Sequence, residues 1–285
     1  RRRRRRRGRR RARRPAGHQG SGPRRPARDA PDQREAGRGA PVRRDPVRGD
    51  AGDEALRPAL RGDRRDDAHL HLLGIVDHVV VGDDVAVLRD EEAESNLGKW
   101  KKMFANDKPI EVEIGTGYGE FMMEYCQKNP DVNFIGLDHR FKRSFSVAKK
   151  LDKLEHKNFR YLRARGERLE FMFGENEVQS VFYFFPDPWP KTRHHKKRLF
   201  QKPFLNACHK VLKPGGTLFV KTDHDGYFEW MLKAIEGDHR FEVLIQSQNL
   251  RQEFPEHFLS QFTTKFEKIF LSQGTLIKSI VLRKI

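Results

Sequence analysis

The chain has almost no cysteine, and ahead of residue 99 it has almost nothing that builds a core. Cys126 and Cys208 are the two cysteines in 285 residues, and both fall in stretches that read as helix. Two such residues make neither a disulfide framework nor a zinc pattern, and they suit a reducing, cytoplasmic setting. No apolar run approaches the ~20 residues needed to span a bilayer, so no membrane role is expected. The charged start has no apolar stretch beside it and does not read as a secretory signal. His69 and His71 alternate like metal ligands, but no Cys or third His follows at ligand spacing, and no metal is expected. The first Lys, Trp, Met and Phe are Lys99, Trp100, Met103 and Phe104.

The charge is uneven. The formal net charge is +18, and residues 1–65 alone hold 24 Arg against 8 acids. The remainder is close to neutral, so the basic balance describes one segment rather than a nucleic-acid-binding domain. A segment of Arg, Gly, Pro, Ala and Asp buries too little apolar surface to offset its ordering entropy. Residues 1–65 are therefore expected to be a disordered extension, solvated rather than phosphate-binding. Residues 66–97 contain short apolar runs, HLHLLGIVDHVVVGDDVAVLR, that read as two paired strands or as a linker.

From about residue 98, strand and helix signals alternate. Strands are expected at Ile110–Ile114, Asn133–Asp138, Phe159–Arg163, Val178–Phe185 and Thr217–Thr222, with a final pair at Phe241–Gln248 and Thr275–Leu282. Helices are expected at Gly119–Gln127, Lys142–Glu155, Lys196–Leu212 and Tyr227–Glu236. Alternation of this kind implies an α/β fold with a mostly parallel sheet, and ligands bind beyond the carboxyl ends of such strands. Those ends read EIGTGYG, GLDHR, FFPDPW and KTDHD.

The first of these, Glu113 to Gly119, places Gly115 and Gly117 where a tight turn lets a ligand approach the backbone. A dinucleotide fold would carry GxGxxG; this loop is GxGxG, with an acid two residues before it. An acid at that mouth opposes a pyrophosphate and favours a cationic ligand. S-adenosylmethionine, with its sulfonium and ammonium, fits. Asp138, at the end of the next strand, is placed for a ribose diol.

In FFPDPWPKTRHHKKRL, prolines fix the turn around Asp187. Trp189 offers a flat face for stacking. Lys191, Arg193, Lys196, Lys197 and Arg198 then form a basic block where a nucleic-acid backbone would pass.

This stretch resembles the bacterial tRNA (guanine-N7-)-methyltransferase family. So do EIGTGYG, KTDHDGYFEWM and TTKFE at Thr263–Glu267. The resemblance covers residues 98–285, implying a methyltransferase domain there. It implies a Rossmann-like seven-stranded sheet with an antiparallel last strand, S-adenosylmethionine as donor, tRNA as substrate, and a monomer or homodimer with no obligate protein partner. It assigns Glu113 and Asp138 to the donor, with Gly115 and Gly117 shaping that pocket. Asp187 becomes a catalytic and donor-side residue. Lys191 and Asp223 become substrate contacts, and Thr264, Lys265, Phe266 and Glu267 a loop over the guanine. Where the family usually has Asp-Ala or Asn-Ala against the donor adenine, this chain has Arg165-Gly166.

Guanine N7 has no proton to lose, so its methylation needs alignment more than a base. Carboxylates from Asp187 and Asp223 would offset the positive charge that develops on the purine and accept from its N1–H and N2–H₂ edge. The competing readings are a dinucleotide-dependent dehydrogenase, a non-catalytic RNA-binding protein, and a small-molecule or other RNA methyltransferase on the same fold.

Overall fold

The computed structural model describes residues 87–285. The extension expected over 1–65 and the apolar runs before Val87 lie outside the described residues. The chain runs β1 (Val87–Arg89), α1 (Asp90–Ser95), α2 (Trp100–Phe104), β2 (Ile110–Ile114), α3 (Glu120–Lys128), β3 (Asn133–Leu137), α4 (Phe141–Leu151), β4 (Phe159–Arg163), α5 (Leu169–Met172) and β5 (Val178–Phe184). It continues α6 (Lys202–Val211), β6 (Leu212–Thr222), α7 (Asp225–Ile235), β7 (Phe241–Ser247), α8 (Leu250–Glu253), α9 (Phe258–Gln261), α10 (Lys265–Ser272) and β8 (Lys278–Lys284).

Among the described residues the strands form one sheet, ordered β1-β4-β3-β2-β5-β6-β8-β7. Strands β1 to β6 pair in parallel, and β8, the last in sequence, inserts antiparallel between β6 and β7. Strands β2 and β3 are buried at every position, as parallel strands covered on both faces are. Alternate residues serve opposite faces. Val112, Ile135, Val181 and Leu218 pack with Trp100, Phe200 and Phe228. Phe134, Phe182 and Val281 pack with Phe121, Val147 and Leu259 on the other side.

Seven of these strands answer to the seven expected from sequence; β1 is an addition at the edge. The segment carrying it is tied to the sheet well before residue 98. Ala93 is fully buried in the first of those clusters, and Trp100, also buried, stacks on Phe173 and donates its Nε1–H to Met172 O at 2.8 Å. Val87–Arg89 closes the apolar stretch that reads as two paired strands or a linker, so a strand here falls within the first of those readings.

The helix expected over Lys196–Leu212 is shorter. Residues Thr192–Lys197 form a 3₁₀ turn, α6 begins at Lys202, and Leu212 already belongs to β6. Pro203 explains the late start, because a proline is tolerated in a first helical turn and disruptive further in. Strand β2 pairs with β3 on one side and β5 on the other. The chain order reverses there, which opens a crevice beyond the strand ends.

Candidate active site

The loop after β2 is held by its neighbour. Gly115 N and Thr116 N both donate to Leu137 O, at 2.8 and 3.0 Å. Gly115 and Gly117 have φ of +81° and +62°, a region that glycine occupies without strain. Nothing lies within 4 Å of where a Gly115 side chain would project, so a ligand can reach the backbone.

Glu113 stands beneath this loop, 4% exposed, and its Oε2 has no hydrogen-bond partner. Burial, and then the charge of Asp138, push its pKa up to about 8; hydrogen bonds from the Met122 main chain and the Thr116 hydroxyl offset part of that. A buried acceptor without a donor is uncommon and costly. Glu113 also lines the cavity described below, which places this acid beside a site suited to a ligand cation.

Asp138, also buried, accepts from Gly117 N at 3.1 Å, Arg140 N at 2.9 Å and Arg143 Nη1 at 3.0 Å. A carboxylate offers about four acceptor positions, so these three contacts leave room for one further hydroxyl.

The turn after β5 is strained. Phe185 and Trp189 hold φ of +48° and +47°, a conformation that side-chain-bearing residues adopt at a cost and that clusters at functional sites. Pro186 and Pro188 are buried while Asp187 between them is exposed. Phe185 N donates to Lys221 O at 2.8 Å. Arg198, 3% exposed, donates Nε–H to Pro188 O at 2.7 Å and lies against the Tyr227 and Trp230 rings, 4.9 and 5.1 Å from their centroids. The basic block is thus divided. Arg198 is spent on the turn, whereas Lys191, Arg193, Lys196 and Lys197 are exposed. Lys197 sits over the Trp189 ring at 4.5 Å.

These loops enclose a cavity of about 1140 Å³. Of the residues singled out from sequence, Glu113, Gly115, Gly117, Asp138, Arg165, Asp187, Thr264, Lys265 and Phe266 line it; Lys191, Asp223 and Glu267 do not. Asp223 is buried at the end of β6, its carbonyl accepting from Lys278 Nζ at 3.0 Å. Glu267 is fully buried and paired with Lys221 and Arg251. Of the acids expected at donor and purine, Glu113, Asp138 and Asp187 therefore share one cavity, and Asp223 lies outside its lining. Gly166 is packed so closely that a Cβ there would lie 2.6 Å from Ile114 Cγ2 and 2.8 Å from Leu199 Cδ2, which accounts for glycine at this position.

Sequence reasoning missed Arg143 and Lys221, and it placed Arg198 in the basic block rather than under the turn. Lys221 had a visible signal, a lone cation inside the apolar strand TLFVKT. Arg198 had a weaker one, its place directly before the apolar Leu199-Phe200 pair. Arg143 lies in a basic helix where nothing separates it from its neighbours.

Residues 107–280 match the family described as "Putative methyltransferase". The tRNA (guanine-N(7)-)-methyltransferase of Enterococcus faecalis is 37% identical over 68% of this chain and 88% of its own length. The enzyme of the same name from Geobacillus thermodenitrificans is 34% identical over 61% of this chain and 81% of its own. A bifunctional glycosyltransferase/methyltransferase of Fusobacterium nucleatum is 39% identical over 61% of this chain, which spans only 26% of that protein. Among solved structures, the 16S rRNA methyltransferase KamB superposes with a TM-score of 0.52 at 18% identity, covering 73% of this chain and 99% of its own, and so shares the fold. With its methyltransferase fold and these relatives, the chain belongs to the tRNA (guanine-N7-)-methyltransferase family.

Proposed function

We propose that the protein moves a methyl group from S-adenosylmethionine to N7 of a guanine in tRNA, at guanine 46 of the variable loop as the family does. The observation that carries this reading is that a buried carboxyl with an unmet acceptor, Glu113, and an exposed carboxylate on a strained turn, Asp187, face one cavity. The donor fits the residues present. Its ammonium would answer the Glu113 carboxyl, a ribose hydroxyl would take the remaining acceptor position on Asp138, and its body would lie over the open backbone of Gly115. When bound, it supplies a methyl group on a positively charged sulfur.

The chain's own residues then have limited tasks. N7 attacks with a lone pair and releases no proton, so no side chain need act as a base. The positive charge passes to the purine, and Asp187, held by Pro186, Pro188 and Arg198, offsets it as it develops. The wall formed by Thr264, Lys265 and Phe266 confines the base against that acid, and alignment supplies most of the rate. The exposed cations Lys191, Arg193, Lys196 and Lys197 take the RNA backbone.

The test is nucleoside mass spectrometry of unmodified tRNA incubated with the full chain and donor. 7-Methylguanosine at one position is expected. No such nucleoside, with the same tRNA modified by a known enzyme in parallel, would overturn the reading.

A further inference from the structure

Lys221 is a fully buried lysine in the middle of the domain, and all three of its N–H donors are used. It donates to Leu259 O and Phe262 O at 2.9 Å each and to Glu267 Oε2 at 2.6 Å. The other oxygen of Glu267 accepts from Arg251 Nε at 3.1 Å and Nη2 at 2.9 Å. Glu267 is itself fully buried, and its main-chain N–H is capped by Thr264 Oγ1 at 3.2 Å. One ammonium therefore binds three points of the segment that carries Thr264, Lys265 and Phe266 into the cavity.

The same lysine also touches the opposite wall. Its main-chain carbonyl accepts from Phe185 N, at the strained residue where β5 turns towards Asp187. Its ammonium lies 5.1 Å from the Phe184 ring and 6.0 Å from the Phe185 ring. Across the mouth, Lys265 N donates to Glu120 Oε2 at 2.6 Å, which fixes the segment's other end to the start of α3.

We infer that Lys221 and Glu267 are a positioning pair that sets the distance between the Thr264–Phe266 wall and Asp187, and that Glu267 acts through this pair rather than by touching substrate. A buried ion pair adds little net stability over an apolar replacement. A geometric role gives a reason for placing one here, because small misplacements of a reacting group are costly in rate. The kinetic half of this inference rests on the proposed methyl transfer; the structural half does not.

The test compares Glu267→Gln, Lys221→Met and the double variant in the full chain. Each single change is expected to lower kcat about 10- to 100-fold with KM for tRNA within about twofold, and the double variant to be no worse than either single. A tenfold rise in KM for tRNA on Glu267→Gln with kcat kept, persisting in the Lys221→Met background, would overturn the inference. Should a single variant not fold, the double variant removes both buried charges and leaves Arg251 reaching solvent. Amide exchange over residues 258–267, read without tRNA or donor, is expected to rise in Lys221→Met. Unchanged protection there overturns the pair whether or not the wild type methylates tRNA, so failure of the pair and failure of the proposed activity are told apart.

Discussion

Glu113 and Glu267 are both buried acids in one sheet-based domain, and they do opposite things. Glu267 has a cation on each oxygen, Lys221 on one and Arg251 on the other. Glu113 has an oxygen with no partner and a neighbour, Asp138, of its own sign. Burial by itself therefore does not mark a binding residue. What separates the two is whether the protein has already met the acid's needs. Glu267, whose needs are met, ties chain segments together; Glu113, with an unmet oxygen, lines the cavity, whereas Glu111 has an unmet oxygen and does not, so a missing partner marks a binding acid only at the cavity.

The sharpest way to break this contrast is to truncate the satisfied acid. Glu267→Ala leaves Lys221 buried without its counter-charge, which typically costs about 3–5 kcal/mol. The urea midpoint of the variant should fall accordingly, with and without donor. A midpoint within error of the wild type would mean that Glu267 is not the structural member of the comparison.

Asp187 supplies the third case, an acid that is neither buried nor paired into the core. Asp187→Ala should lower turnover by about 10²- to 10³-fold, the range for removing one preorganised group at a developing charge, while the thermal midpoint stays put. Retained wild-type turnover would remove Asp187 from the chemistry and leave Glu113 without a catalytic counterpart.

The sequence showed much of the fold and about half of the logic of the site. Seven strands, the glycine loop and the aspartate-bearing turn stood out because local chemistry produces them: apolar runs, positive-φ glycines, flanking prolines. Arg198 read as part of a basic block because the chain does not say that Tyr227 and Trp230, some thirty residues on, will flank it. Glu267 read as a substrate contact for the same reason, since Lys221 and Arg251 reach it from other elements. Asp223 sits at a strand end like the others, yet lies outside the cavity lining. β1 reads as either strand or linker because its partner, β4, lies far along the chain and nothing local announces the pairing.

The unmet acid should also show itself in pH dependence. An acid whose folded pKa is raised above its unfolded value holds an extra proton in the folded state, so its contribution to stability is full below the unfolded pKa and falls as pH rises through the folded one. For Glu113 that window runs from the ordinary carboxyl range up to about 8. Glu113→Gln should flatten the decline in stability of the donor-free protein across this window. Donor binding needs the carboxylate, so affinity should rise with pH, by at most about tenfold per unit, and level off near pH 8; Glu113→Gln should bind more weakly and lose that slope. Calorimetry at several pH values, in buffers of different ionisation heat, reads both. A wild-type slope of zero would mean that Glu113 is already ionised and paired.

The smallest effect carries the same comparison over to cations. Arg198 is buried and spent on Pro188 O, as Glu267 is spent on Lys221, whereas Arg193 is exposed and available to a phosphate, as Glu113 is available to an ammonium. Each phosphate contact releases counterions, so its loss lowers the slope of log affinity against log salt by about 1. Arg193→Ala should weaken tRNA binding and reduce the slope by that amount. Arg198→Ala should leave the slope where it is and lower turnover instead, because it loosens the turn that holds Asp187. Filter-binding titrations across a salt series distinguish the two, and equal slope changes for both variants would show that satisfaction by the fold does not predict which charges remain for the ligand.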